Sequence, residues 1–511
     1  MKTKYLTTLF VLGIFICMLD TTIMNVSLPN ISEHLHVGLD ELSWALNVYL
    51  ILFAALTIPL TRLAEVLGSH RWFLIGVALF GTGSVISACA FGLNILLVGR
   101  AIQSIGAALV FPLSMTLGIS LVPVSRRTGM IAILGITQGI SAALGPTVGG
   151  VVTQFLGWRW IFLINVPLTV IMIVLGLANL KIKNEVQHRQ PLDVLGAVFS
   201  IVFLSTLSLG MMQGRVWGWY SWLTISCFAI SVITFICFLV TERRSSNPMV
   251  PLELFNNRTF TIASLIIVLS NLFLAATTVI LPNYFINIQG YDDLRASLLI
   301  APISFAIFVV SPISGFARDH IRSSWLLMMG FAFMAAGFAW LAYGALAYQW
   351  SAMVAGLIVG IGYGLITGPI LVIAAGSFQD KLLTASQSVT GVLRQVGTML
   401  SVAIFVTGLY VNLDVARKQS ADYAYQKIEK TQMPEPQKKV VIQKIDKNMN
   451  KSQFEPTNTK QLPEALANSV SDIEQHVVVG LRHGFEKLYI FSLPFILLGV
   501  VVSAFLKDKK F

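Results

Sequence analysis

The sequence predicts an all-α integral membrane protein of about fourteen transmembrane helices, with both ends on the cytoplasmic side. Three observations carry that prediction. Of 511 residues, 55% are hydrophobic and only 12% charged, whereas soluble domains carry roughly 25% charged residues, so there is too little polar side chain to cover a globule. The charges gather in short runs between apolar stretches of roughly 20 residues, the length that crosses a hydrocarbon core of roughly 30 Å. Finally, basic residues divide unequally between alternate loops, which sets orientation.

The apolar stretches fall at 5–28, 42–60, 72–91, 95–120, 129–154, 160–180, 193–212, 221–241, 259–284, 296–316, 324–344, 350–377, 385–410 and 488–506. The first follows Lys2 and Lys4 and resembles a signal peptide, but it lacks a small-residue cleavage site and runs to Leu28, so it reads as a retained helix. With the N-terminus inside, eighteen of the 35 basic residues fall in cytoplasmic loops and only Arg159, Arg215 and Arg295 in short outer ones. Twelve more lie in one long outer segment, about 411–487, and long segments translocate regardless of charge. The net charge of +11 therefore reports membrane orientation, not nucleic-acid binding. Cys17, Cys89, Cys227 and Cys237 lie in the apolar stretches, which excludes a loop disulfide framework or a CxxC metal site.

The long segment is the only soluble-like part. Its last third spaces Leu466, Val470, Ile473, Val477, Leu481, Phe485 and Leu488 by threes and fours, an amphipathic helix leading into the final span. It reads as a solvated cap on the outer surface; the alternative is a docking site for an adaptor protein.

A weak repeat divides the rest. Thr61 to Arg71 after the second span and Gly315 to Arg322 after the tenth both place an acid within a basic turn. Residues 1–180 and 259–511 then form two six-helix halves, the second including the outer segment, and 181–258 holds linkers and an inserted pair of helices. Two six-helix halves around a cavity is the architecture of alternating-access transporters.

Embedded charges are expensive and mark function. Of 24 acids, only Asp20 lies deep within a span; the embedded bases are Arg100 and, near the inner end of the thirteenth span, Arg394. Asp20 stands nine residues before Pro29 and Arg100 six after Asn94, so they lie about 13 Å and about 9 Å from the outer surface. An arginine side chain closes that gap if the two helices face each other. Gln103, Ser104 and Ala107 continue the Arg100 face with polar or small side chains. A carboxylate balanced between desolvation and a nearby cation is suited to binding and releasing a proton. A permanent ion pair and direct binding of a cationic substrate are the other readings of the same pair.

The fifth span carries Gly135, Gly139, Gly145, Pro146, Gly149 and Gly150. Small residues admit a close neighbour, and the proline leaves a carbonyl unpaired and kinks the helix. No GxxxxGK[ST], GxSxG or HExxH pattern occurs, so ATP-driven transport and hydrolysis have no support; the chain does not read as an enzyme, and an ion gradient is the remaining energy source.

Several strings carry a resemblance. Leu19 to Pro29 resembles the first-helix signature of the fourteen-helix drug:proton antiporters of the major facilitator superfamily. Arg100-Ala101-Ile102-Gln103 is similar to that superfamily's fourth-helix motif, and Gly145 to Gly150 to its fifth-helix antiporter motif. Trp158 to Pro167 is the most specific match, followed by Pro251 to Phe255. The resemblance implies a major-facilitator-type fold of 6+2+6 helices and proton-driven export of amphipathic drugs across the plasma membrane. It also implies protonation at Asp20, a gating or transition-state role for Arg100, and no cofactor beyond the proton gradient.

The expected substrate-binding residues are Asn25, Gln103, Ser104, Gln138, Asn271, Phe273 and Tyr363. The expected conformational elements are Glu65, Gly68, Gly145, Pro146, Gly149, Gly150, Asp319 and Arg394. The loop after the second span departs from the family pattern at Thr61, Glu65, Val66 and Ser69, which leaves Glu65 to act as the acid at a helix N-terminus. No second embedded acid occurs in the C-terminal half, which favours monovalent, zwitterionic or neutral substrates over dications. Expected partners are small amphipathic compounds, protons and the lipid bilayer. Export of one endogenous metabolite or lipid, or a non-transporting membrane sensor, are the alternative functions.

Overall fold

The protein is described here from a computed structural model, which places residues 2–123, 126–182, 185, 192–318, 320–376, 378–429 and 464–506. Its helices, in chain order, are α1 (Lys2–Leu35), α2 (Leu39–Leu67), α3 (Ser69–Ala88), α4 (Leu93–Ser120), α5 (Arg127–Leu156), α6 (Trp160–Leu163), α7 (Asn165–Asn179), α8 (Val194–Trp217) and α9 (Trp222–Arg244). They continue as α10 (Glu253–Asn256), α11 (Arg258–Asn287), α12 (Asp293–Ala317), α13 (Ser323–Ala342), α14 (Gln349–Ala375), α15 (Asp380–Ser401), α16 (Thr407–Glu429) and α17 (Glu464–Ala504). Among the described residues, fourteen segments are long and apolar enough to cross a membrane. α6 and α7 together make the sixth, and α15 continues through a π-helical stretch, Val402–Val406, into α16.

Several boundaries differ from those read in the sequence. Pro29 does not end α1, which runs six residues further, to Leu35. The thirteenth helix does not stop near residue 410; α16 carries it to Glu429 although its outer part is polar. It is held there by α17, which merges the predicted amphipathic segment and the last span into one helix. Tyr423 stacks on His476, and Lys427 and Tyr423 both donate to the Asp472 carboxylate. A polar helix that would fray alone is thus held by its partner. Cys89 caps the end of α3 in a turn, outside the apolar helix body.

Glycine sets the closest helix approaches. A Cβ at Gly106 of α4 would lie 2.4 Å from the backbone nitrogen of Phe80, and one at Gly83 of α3 2.4 Å from that of Gln103. α13 and α14 use the same device, where a Cβ at Gly362 would lie 2.4 Å from the carbonyl oxygen of Gly330. Without a strong hydrophobic drive between helices in lipid, such backbone contact supplies the attraction.

α5 lies between two sets of neighbours. Its Gly145 and Gly149 pack on Thr22 and Ile23 of α1, whereas its Gly135 and Gly139 pack on Leu371 and Thr367 of α14. α15 likewise touches both α2 and α4 on one side and α11 on the other. α8 and α9 pack on each other, and α8 on α2. Only 28% and 17% of their apolar windows are buried, the second the lowest of all the spans, so this pair stands at the lipid-facing edge.

Candidate functional site

Asp20 is fully buried in α1, and four other helices converge on it or on the residues that hold it. Arg100 of α4 donates from Nη1 to Asp20 Oδ2 at 2.6 Å and to Gln103 Oε1 at 2.8 Å. Its Nε donates to the carbonyl of Ala45 on α2 at 3.1 Å, and its guanidinium lies 4.1 Å from the centre of the Tyr49 ring. Gln103 Nε2 donates to Asp20 Oδ1 at 2.8 Å and to Ser84 Oγ of α3 at 2.9 Å. Asn165, first residue of α7, donates from Nδ2 to Asp20 Oδ1 at 3.3 Å.

The local sequence explains this convergence. Arg100 and Gln103 are three apart and share one helix face. The contact at Gly83 brings α3 against Gln103, which puts Ser84 within reach. Such a buried pair holds together only because additional hydrogen bonds meet the remaining lone pairs and protons. Two groups stay open: Arg100 Nη2 and Asn165 Oδ1 have no hydrogen-bond partner.

Asn165 is absent from the residues expected from sequence. It lies 145 positions from Asp20 and is uncharged, so an inventory of embedded charges passes over it. The one signal available was its place inside the Trp158 to Pro167 string.

The Gly145 to Gly150 segment of α5 packs on α1 at Thr22 and Ile23, just after Asp20 in sequence. Pro146 has no N–H for the carbonyl of Ala142, its partner four residues earlier. Thr22 of α1 supplies the missing donor, at 2.9 Å from that oxygen. The next carbonyl, Ala143, accepts from Ser304 of α12. Two adjacent carbonyls beside one proline therefore tie α5 to a helix of each half. Gly145 makes room: a Cβ there would lie 1.9 Å from Thr22 Oγ1, and one at Gly149 2.2 Å from the Ile23 carbonyl oxygen. Gly150 is buried in the same helix.

Other expected residues separate into distinct places. Ser104 is buried and donates to the Tyr49 carbonyl at 2.6 Å, which makes it a tie between α4 and α2. Asn25 is half-buried, five residues beyond Asp20 and on another face of α1. Gln138 is buried in α5 with its Oε1 unpartnered. Tyr363 of α14 donates to Asn271 Oδ1 of α11 at 3.1 Å. Phe273 is not beside them: it packs edge-on against Phe338 and Phe405, in the core of the second half, because two residues along a helix turn it well away from Asn271. It is a packing residue.

The acid at the α3 N-terminus is not Glu65. Glu65 pairs with Arg62, one turn away, at 2.7 Å. Glu185 takes the place instead, accepting from the backbone nitrogens of His70 at 2.7 Å and Arg71 at 3.3 Å. A carboxylate there meets unsatisfied N–H groups and the positive end of the helix dipole. Gly68, with φ of 115°, makes the turn between α2 and α3, and a Cβ on it would meet Glu185 Oε2 at 2.6 Å. Asp319 lies outside the described residues.

Arg394 is buried in α15, fourteen residues after its start at Asp380, about 21 Å along the helix. Among the described residues no group of three or more His, Cys, Asp or Glu is placed to hold a metal ion.

Comparison with known proteins points one way. Residues 10–402 match the Major Facilitator Superfamily. The chain is 32% identical over 331 residues to the "Probable multidrug resistance protein EmrY" of Escherichia coli, covering 64% of each chain, less than two thirds of that relative's length. It is 26% identical over 531 residues to the "Multidrug transporter protein MdtP" of Bacillus subtilis, covering all of this chain and 94% of the relative. It is 30% identical over 398 residues to the "Multidrug resistance protein Stp" of Mycobacterium tuberculosis, covering 77% of this chain and 73% of the relative.

Proposed function

Since the chain belongs to the Major Facilitator Superfamily, and is a multi-pass plasma-membrane transporter and not an enzyme, we propose that it exports amphipathic organic compounds, drugs among them, in exchange for protons. The observation that carries this reading is the buried Asp20 carboxylate, held by Arg100 and Gln103 of α4 and Asn165 of α7. The multidrug names of its relatives support the substrate class.

The proton acts on the ties around Asp20. Protonation removes the charge that Arg100 faces at 2.6 Å and leaves a buried guanidinium with neutral partners only. Uncompensated buried charge costs about 3–5 kcal/mol, enough to favour a rearrangement of α1 against α4. α1 in turn bears on α5 through Thr22, and α5 reaches the second half through Ser304. Residues 1–180 and 259–511 are then the two rocking units, with 181–258 as the linking and inserted part. Basic-loop asymmetry puts both termini in the cytoplasm. In that orientation the packing of Gly135 on Leu371 and Gly139 on Thr367 closes the cytoplasmic side.

The test is purified protein in liposomes, with substrate-driven proton flux followed by a trapped pH dye. Asp20→Asn keeps the side chain's shape and one acceptor oxygen but removes the titrating group. The expected result is a folded variant with no coupled flux. Undiminished pH-dependent flux in that variant would remove Asp20 from the mechanism.

A further inference from the structure

Among the described residues, four ionisable side chains of the Asp, Glu, Lys and Arg types are less than a tenth exposed: Asp20, Arg100, Glu242 and Arg394. Three have an ion-pair or hydrogen-bond partner on the charged group. Asp20 and Arg100 neutralise each other, and the Glu242 carboxylate at the end of α9 accepts from the backbone nitrogens of Met249 and Val250 at 3.1 Å. Arg394 is the exception. It is 5% exposed, none of its side-chain nitrogens has a hydrogen-bond or ion-pair partner among the described residues, and Nη1 is sealed from solvent.

Among the described residues no acceptor is hydrogen-bonded to it. The nearby Tyr363 hydroxyl donates to Asn271 Oδ1 at 3.1 Å, not to a group on Arg394. Asn271 spends its own Nδ2 on the Ile267 carbonyl at 2.8 Å. One turn before Arg394, a Cβ at Gly391 would lie 2.9 Å from the ring of Phe111 on α4; one turn after, a Cβ at Gly397 would lie 2.6 Å from the Val268 carbonyl on α11. Arg394 thus sits on α15 between a contact with the first half and a contact with the second. The π-helical stretch Val402–Val406 follows two turns later in the same span, and such stretches often accompany functional sites.

A planar guanidinium matches a carboxylate through two parallel N–H···O bonds, and unlike lysine it stays charged when buried. We propose that Arg394 anchors a carboxylate, or an equivalent anionic acceptor, on the transported compound, so that zwitterionic and acidic amphiphiles are the preferred substrates. This rests on the export reading for its setting, and it moves Arg394 from a gating role to substrate recognition. With Asp20 and Arg100 neutral as a pair, Arg394 is the buried arginine left without a counter-charge among the described residues, which also disfavours dications.

Equilibrium binding of a matched dye pair tests this: a tetramethylrhodamine with a free ring carboxylate and its methyl ester. Full-length protein in nanodiscs is titrated with each dye by fluorescence polarisation, without any gradient. The wild type should bind the free carboxylate at least about tenfold more tightly than the ester, as expected for losing one charge-assisted contact. Arg394→Gln should bring the carboxylate to the ester's affinity and leave the ester unchanged; Arg394→Lys should keep part of the preference. Equal affinities in the wild type, a preference for the ester, binding of neither dye, or an undiminished preference in Arg394→Gln would each overturn the proposal. If Arg394→Gln does not fold, the wild-type ratio and Arg394→Lys still decide it. Liposome proton flux is a separate readout: a carboxylate preference without coupled flux defeats the export reading and leaves the Arg394 anchor standing.

Discussion

The two halves of the molecule treat a buried arginine in opposite ways. Arg100 in the first half has a carboxylate, an amide oxygen, a carbonyl and an aromatic face around it. Arg394 in the second is buried almost as completely and has none of these. A satisfied charge can be part of a switch, because changing one partner's protonation unbalances the rest. An unsatisfied charge is set up for a partner that comes and goes.

Removing each arginine should break this comparison most clearly. Arg100→Ala leaves the Asp20 carboxylate buried without its cation and should cost about 3–5 kcal/mol, read as a lowered thermal midpoint in detergent. Arg394→Met removes a charge that nothing compensates, so its thermal midpoint should be unchanged or raised. Equal losses in both variants would mean that Arg394 has a structural partner after all.

Smaller changes separate the switch from the anchor. Gly145→Ala puts a methyl group where Thr22 Oγ1 stands, an overpacking of about 1–3 kcal/mol. It should disturb proton-coupled flux through α1 while the dye preference at Arg394 persists. Thr22→Val strips the donor from the Ala142 carbonyl beside Pro146, and the loss of one hydrogen bond should lower stability by about 1 kcal/mol. A shift of the dye preference in either variant would show that the two regions are one site.

The smallest effect belongs to an exposed pair outside both regions. The Lys427 ammonium, and after it the Tyr423 hydroxyl, hold the Asp472 carboxyl below its ordinary range. A depressed acid contributes stability above its unfolded value and loses it as pH falls through the folded one. Protection from hydrogen exchange at the end of α16, relative to the intrinsic rate at each pH, should therefore fall in acid below the usual aspartate range. High salt should produce part of the same effect at neutral pH, since exposed pairs are screened.

How much of this was legible in the sequence follows from what each feature depends on. Asp20 and Arg100 stood out because a charge inside an apolar run is conspicuous without any knowledge of packing. Gln103 followed from helix periodicity, three residues from Arg100. Pro146 announced a freed carbonyl, but not that Thr22 meets it, since the two lie 124 positions apart. Asn165 and Ser84 are ordinary polar residues until α7 brings the first to Asp20 and α3 the second to Gln103. Glu65 was the nearest acid in sequence to the α3 N-terminus, yet Glu185 caps it, because a helix end recruits whatever carboxylate the chain returns to it.

Fourteen apolar spans, their asymmetric basic loops and the few embedded charges were determined by the sequence alone. Transfer into hydrocarbon is a property of each residue, and it adds along a segment without reference to any other. Tertiary structure decided which embedded charge is satisfied. That depends on directional bonds of about 3 Å between helices far apart in the chain. Arg100 and Arg394 look alike as letters in apolar runs; only the packing separates the one that is held from the one left open.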